Sequence, residues 1–276
     1  MNRGKQTKFV VALTLAAIFQ FFSQARSLAD NPGDRAFTII GLTANNSLVR
    51  FGYDSRRPDK PIPVTGIDGN LQGIDFRPAN GLLYGVTDKN KVYTIDPNTG
   101  YATSVPPLST NFSGGFQSGL DFNPQLDRLR LVGNNDQNFS INVDNGTVTA
   151  QTNLAYIDGD PNFGVDPNIT GAAYINNVAG ATATLLYDID YDLDVLVLHD
   201  PPPSGRLKTI GSLGVNFAPV GGFDIFTDAN SINTAFALSG STLYTIDLNT
   251  GAATKFGEMG QGGFIGLAVT KKGARD

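Results

Sequence analysis

The chain has 276 residues, with 20 Lys and Arg against 25 Asp and Glu, so its formal net charge is -5, and it has no Cys, no Trp and a single His. An acidic surface repels phosphate backbones, which excludes nucleic acid as the expected partner. The lack of cysteine excludes a disulfide framework and thiol chemistry, and with one histidine it excludes zinc sites built on His and Cys.

Taken in chain order, the first element is a leader. Arg3, Lys5 and Lys8 precede an apolar run from Phe9 to Phe22 that ends near Ser27, Leu28 and Ala29. This is the three-part plan of a secretory signal peptide, which places residues 1–29 in a cleaved leader and residues 30–276 in the mature domain. The run is broken by Thr14 and Gln20 and is shorter than the roughly 20 residues a membrane helix needs. The expectation is export to the periplasm or beyond the cell, with no membrane span after cleavage. Loss of Arg3, Lys5, Lys8 and Arg26 removes four positive charges and no acid, taking the formal charge from -5 to -9.

Beyond the leader the chain combines 32 Gly and 15 Pro with many Val, Ile, Thr, Tyr and Phe, the composition of short strands joined by tight turns. One theme recurs at Gly73-Ile74-Asp75-Phe76, Gly119-Leu120-Asp121-Phe122, Gly171-Ala172-Ala173-Tyr174, Gly222-Phe223-Asp224-Ile225 and Gly266-Leu267-Ala268-Val269, at spacings of 46, 52, 51 and 44 residues. A strand repeat of this period marks propeller blades of about four strands each. The first repeat predicts strands over 73–76, 83–86, 92–95 and 102–105. Its last hairpin turns at Asp96-Pro97-Asn98-Thr99-Gly100, echoed at Asp144-Asn145-Gly146-Thr147 and Asp247-Leu248-Asn249-Thr250-Gly251. In such turns Asp accepts from nearby amides, Pro presets φ and Gly takes the left-handed position.

The fifth theme stands close to the C-terminus, where its blade would lack three strands. Residues 40–51 align without a gap on residues 84–95, the second and third strands of a repeat. The expected fold is therefore an all-β, single-domain five-bladed β-propeller, closed by pairing N-terminal strands with the C-terminal strand so that no sheet edge is left open. A six-bladed ring is the alternative count.

These motifs carry a resemblance. Gly41-Leu42-Thr43, Gly73 to Pro78, Tyr93 to Gly100, Asp121-Phe122-Asn123-Pro124 with Asp127 to Arg130, and Gly159-Asp160-Pro161-Asn162 followed by Gly171 to Tyr174 resemble a family of secreted bacterial proteins classed as domain of unknown function 4394. The match spans residues 37 to 270. It implies an exported repeat fold and no particular activity.

Few residues are candidates for chemistry. His199 stands in Leu198-His199-Asp200-Pro201-Pro202-Pro203, and no Gly-x-Ser-x-Gly elbow exists to meet it, so it is expected to be a surface residue rather than a catalytic base. No Gly-rich loop opens a helix to cradle phosphate, and there is no Trp on which a quinone cofactor would stack. The acidic loop from Asp158 to Asn168 sets oxygen side chains at alternate positions, which makes Asp158, Asp160, Asn162 and Asp166 candidate ligands for calcium. Residue 169 is Ile where an EF-hand needs Glu, so the loop is no EF-hand. Loop-forming propensity alone is the competing reading.

Asp75, Asp121 and Asp224 share one position on the innermost strand, while Ala173 and Ala268 fill it in the other repeats. Arg130 occupies a place held by Tyr84, Tyr187 and Phe236 elsewhere, which makes it the expected partner of Asp121. Asp75, Asp121, Arg130 and Asp224 together are the candidate ligand-binding set at the channel mouth. Two function classes follow. The first is a non-catalytic binding or scaffold module for a glycan, a peptide or a cell-surface component. The second is a metal-dependent hydrolase or lactonase using the inner-strand acids. No nucleophile, base or cofactor motif supports the second, so the binding module is the expected function.

Overall fold

The computed structural model describes residues 37–52, 57–260 and 262–271. The leader expected over residues 1–29 lies outside the described residues. No helix among the described residues is long and apolar enough to cross a membrane.

The chain forms five small sheets set as the blades of a β-propeller. Blade one comprises Leu71–Phe76, Leu83–Thr87, Val92–Ile95 and Ala102–Val105, matching the strands expected from the first repeat. Blade two comprises Ser118–Asn123, Arg128–Gly133, Asn138–Asn142 and Thr147–Ala150. Blade three comprises Ile169–Tyr174, Leu186–Asp190, Val195–His199 and Arg206–Ser212, with the short parallel strand Ala155–Tyr156 added outside. Blade four comprises Gly221–Thr227, Asn233–Ser239, Thr242–Ile246 and Ala253–Glu258.

Blade five takes its inner strand, Phe264–Lys271, from the C-terminal end and its next two, Phe37–Thr43 and Ser47–Gly52, from the N-terminal end. The register pairs Ala268 with Ile40 and Gly266 with Leu42. The ring is closed in the way that the alignment of residues 40–51 on 84–95 requires, and the count is five blades.

Along each inner strand, residues alternate between two neighbours because side chains alternate across a strand. In blade one, Ile74 and Phe76 pack back onto Ile40, Leu42, Ile265 and Ala268 of blade five, while Asp75 and Arg77 reach forward to blade two. The forward-facing theme glycine is set by space. A Cβ on Gly119 would lie 2.6 Å from the Cβ of Ala172, one on Gly171 would lie 2.7 Å from that of Phe223, and one on Gly222 would lie 2.4 Å from the backbone nitrogen of Leu267. Gly266 is looser, its nearest neighbour being the Leu42 Cβ at 3.4 Å. The inner strands thus approach around the axis until only hydrogen fits at most of these positions.

Farther out, Arg77 fastens blade one to blade two. Its Nε and Nη2 donate to the two oxygens of Asp127 at 2.8 and 2.5 Å, and its Nη1 and Nη2 to those of Asp144 at 2.6 and 2.8 Å. Two-pronged contact with two carboxylates raises the guanidinium pKa further, and Tyr84 stacks beneath it at 5.9 Å. The turn glycines behave as expected, with Gly100, Gly146 and Gly251 at φ of 74°, 75° and 82°. Asp96 and Asp247 accept from the amides of Asn98 and Asn249. In the turn of blade two that role falls to Asn142, which accepts from the Asp144 amide, and Asp144 is left to bind Arg77.

The crowding at the axis yields a graded outcome. Gly119→Ala should destabilise the protein by roughly 1 to 3 kcal/mol by forcing two blades apart. Gly266→Ala, where a Cβ meets ordinary contact, should stay within about 0.5 kcal/mol of the parent. Chemical denaturation of the two variants checks the order.

Candidate functional site

The inner strands deliver three carboxylates to one point. Asp75, Asp121 and Asp224 are 1%, 0% and 1% exposed, and a carboxylate oxygen from each lies within 4.8 Å of the others. Among the described residues this is the one group of three or more His, Cys, Asp or Glu side chains that converges closely enough to share a metal ion.

Asp75 and Asp224 are held alike. Asp75 Oδ1 accepts from the Phe76 amide at 2.6 Å and Oδ2 from the Phe122 amide of the next blade at 2.8 Å. Asp224 Oδ1 accepts from the Ile225 amide at 2.6 Å and Oδ2 from the Val269 amide of the next blade at 2.5 Å. Asp121 departs from this pattern, since neither of its buried oxygens makes a well-formed hydrogen bond, although the Tyr174 amide and the Asp224 carboxyl lie beside it. Among the described residues no Lys or Arg forms an ion pair with any of the three.

Burial therefore dominates their titration. It pushes Asp75 well above the usual carboxylate range, with the Asp224 charge adding to the shift. It does the same to Asp121, where both neighbouring carboxylates add. Asp224, whose two amide donors oppose the shift, is pushed up to about 7 by burial.

Arg130 does not join this group. The register sets it directly opposite Asp121, as the sequence implied, but the expected ion pair is absent. The guanidinium runs outward along the blade, with Nε donating to the Tyr174 hydroxyl at 3.2 Å and Nη1 to Asn138 Oδ1 and Gln151 Oε1, each at 2.5 Å. Asn138 in turn donates to the Pro202 carbonyl at 2.8 Å. Arg130 is thus part of a polar seam between blades two and three rather than part of an axial site.

His199 stands at the end of that seam and is fully buried, which corrects the expectation of a surface residue. Its Nδ1 lies 2.9 Å from Asp188 Oδ2 and its Nε2 lies 2.9 Å from the Pro202 carbonyl. A carbonyl only accepts, so Nε2 carries a proton and donates it. The Pro-rich loop folds back over the ring nitrogen, and His199 becomes the anchor of that loop. Among the described residues no serine is hydrogen-bonded to His199.

The acidic loop is tied into blade three. Asp160 Oδ1 accepts from the Asn162 amide at 2.9 Å and the Thr209 hydroxyl at 2.8 Å, and Oδ2 accepts from the Thr209 amide at 2.7 Å. Asn162 turns its Nδ2 to the Thr209 hydroxyl at 3.0 Å. Asp158 and Asp166 are exposed. The oxygens of Asp160 thus staple the loop to the neighbouring strand.

A different feature was not legible from motifs. A groove of about 450 Å³ opens between blade five and blade one, within the size range of small-molecule sites. Arg50 and Lys271 of blade five and Thr94, Asp96, Asn98 and Tyr101 of blade one line it, and Arg50 Nη2 donates to Asn98 Oδ1 from one blade to the other. Tyr101 is 64% exposed, and the Asn98 amide holds Asp96 below the usual carboxylate range. None of the three axial acids lines this groove.

The titration of the axial acids has a signed consequence for metal-free protein. Their folded-state pKa values lie above the unfolded value of 3.8, so between that pH and about 7 the folded chain binds more protons than the unfolded one. Stability in chelator should therefore fall as pH rises through this window. Asp121→Asn should lose less than the parent, so urea midpoints measured from pH 5 to 8 should show the variant gaining on the parent toward pH 8.

The model of the family described as Domain of unknown function (DUF4394) matches residues 47–268. No curated protein matches the sequence. Among solved structures, the chain is similar to a structural genomics protein of unknown function from Bacteroides thetaiotaomicron, at 17% identity and a TM-score of 0.49, over 80% of this chain and 58% of that one. It is also similar to an auxiliary nutrient binding protein from Bacteroides ovatus, at 14% identity and a TM-score of 0.41, over 72% of this chain and 55% of that one. The chain spans less than two thirds of the length of either protein. The family match takes in blades one to four and part of blade five, and on it the chain belongs to the family described as Domain of unknown function (DUF4394).

Proposed function

We propose that this chain is an exported, non-catalytic binding module whose ligand, an oligosaccharide, seats in the groove between blades five and one. The observation that carries the reading is the separation of that groove from the buried acids. The groove is roomy and solvent-facing, and it offers the exposed ring of Tyr101 beside hydroxyl, amide, carboxylate and cationic side chains. A sugar presents an apolar C–H face to an aromatic ring and hydroxyls to polar groups around it, so this mixture suits a saccharide better than an apolar ligand.

Access argues against the hydrolase reading. The three axial acids are at most 1% exposed, and the cavity on the glycine side of the axis holds about 10 Å³, space for about one water. A scissile bond has no route to those carboxylates. Export is supported by the basic and apolar plan of residues 3–22.

Calorimetric titration of the protein with a panel of neutral and acidic oligosaccharides tests the proposal. Binding should be found, and Tyr101→Ala should weaken it at least about tenfold while leaving the melting temperature unchanged, since the ring is exposed. Affinity that Tyr101→Ala leaves intact, preference for a peptide over every saccharide, or turnover of an ester or lactone lost in Asp121→Asn would overturn it.

A further inference from the structure

The five equivalent inner-strand positions hold Asp75, Asp121, Ala173, Asp224 and Ala268. The two alanines are fully buried in the same ring, so a blade closes there without a carboxylate. Three acids are nevertheless gathered on the axis, with one oxygen of each inside a 4.8 Å span. Asp75 and Asp224 are oriented by two amides each. Asp121, with 0% exposure, makes no well-formed hydrogen bond on either oxygen, the Tyr174 amide and the Asp224 carboxyl being the polar groups beside it, and it has no basic partner among the described residues. Burying a carboxylate in that condition is costly, and the cost rises when two more carboxylates face it.

A hard cation removes that cost. Calcium takes carboxylate oxygens at about 2.3 to 2.6 Å and magnesium at about 2.0 to 2.1 Å, so oxygens sharing one ion lie no farther apart than about twice those lengths. The observed span meets that limit for calcium. The donors are all carboxylate oxygens, which selects a hard ion over a soft one.

We propose that Asp75, Asp121 and Asp224 form an axial site for a divalent cation, calcium by size, which pins blades one, two and four to one another. Asp121 is the principal ligand because neither of its oxygens is committed to a well-formed hydrogen bond. The amide bonds on Asp75 and Asp224 aim those two carboxylates at the ion, as outer partners of metal ligands do elsewhere. The site is closed to substrate, so its role is to hold the ring together, and it is independent of the groove.

The experiment uses the full protein purified without chelator. Elemental analysis should find about one equivalent of divalent metal. Chelator should remove it and lower the melting temperature by roughly 5 °C or more, and calcium should restore it. Asp121→Asn and, separately, Asp224→Asn should abolish both the bound metal and the response to chelator, whereas Asp158→Asn in the acidic loop should change neither. Metal-free protein whose melting ignores chelator, calcium and magnesium alike would overturn the proposal in favour of carboxylates that share protons. So would bound metal that Asp158→Asn abolishes and that Asp121→Asn and Asp224→Asn leave in place. The first of these readings needs no variant to fold.

Discussion

The close approach of five inner strands around one axis is the constraint on which the rest of the structure depends. With a Cβ on Gly119 falling 2.6 Å from Ala172, there is no slack between neighbouring blades at that level. A ring that tight has to be closed by a strand pair of definite register, which the chain achieves by setting Ala268 opposite Ile40. That pairing also covers the edges that Phe264–Lys271 and Phe37–Thr43 would otherwise leave open toward each other, the usual liability of an unclosed array of short strands.

The same constraint explains where chemistry can and cannot occur. Side chains one layer along from the glycines are forced together, so Asp75, Asp121 and Asp224 are buried in mutual contact range and cut off from solvent. A carboxylate group so placed acts on the ring itself, through backbone amides of the next blade and through whatever neutralises its charge. On the proposed reading, recognition falls to the outer surfaces. There the blades diverge, and the wedge between blades five and one opens into the groove beside Tyr101. The Arg77 clamp and the seam from Arg130 through Asn138 to Pro202 and His199 show how the wider parts of the ring are fastened, by charged and polar contacts that span blades where apolar packing thins out.

Much of this was legible in the sequence because repeats fix position. The recurrence from Gly73 to Gly266 gave the blade count, and the alignment of residues 40–51 on 84–95 gave the closure. Position, however, is not direction. Arg130 faces Asp121 in register, yet a long side chain chooses among partners that only folding brings near, and it takes Tyr174, Asn138 and Gln151. His199 beside three prolines looked like a surface residue because the loop's return path over its ring is not a local property. The clamp had a readable trace, since Arg77 occupies a place filled by Asn123, Ile175, Phe226 and Thr270 in the other blades, but its two acids come from separate turns of the next repeat. The groove had none, because its lining comes from strands at opposite ends of the chain.

The central claim is that the axis is a closed, cation-joined hub rather than a reaction channel. The most direct measurement is an anomalous difference map from crystals of the protein grown with manganese as a stand-in for the native ion. The account predicts one strong peak on the axis, bounded by the carboxylates of Asp75, Asp121 and Asp224. An axis without anomalous density, with the three carboxyl groups hydrogen-bonded to one another instead, would contradict it.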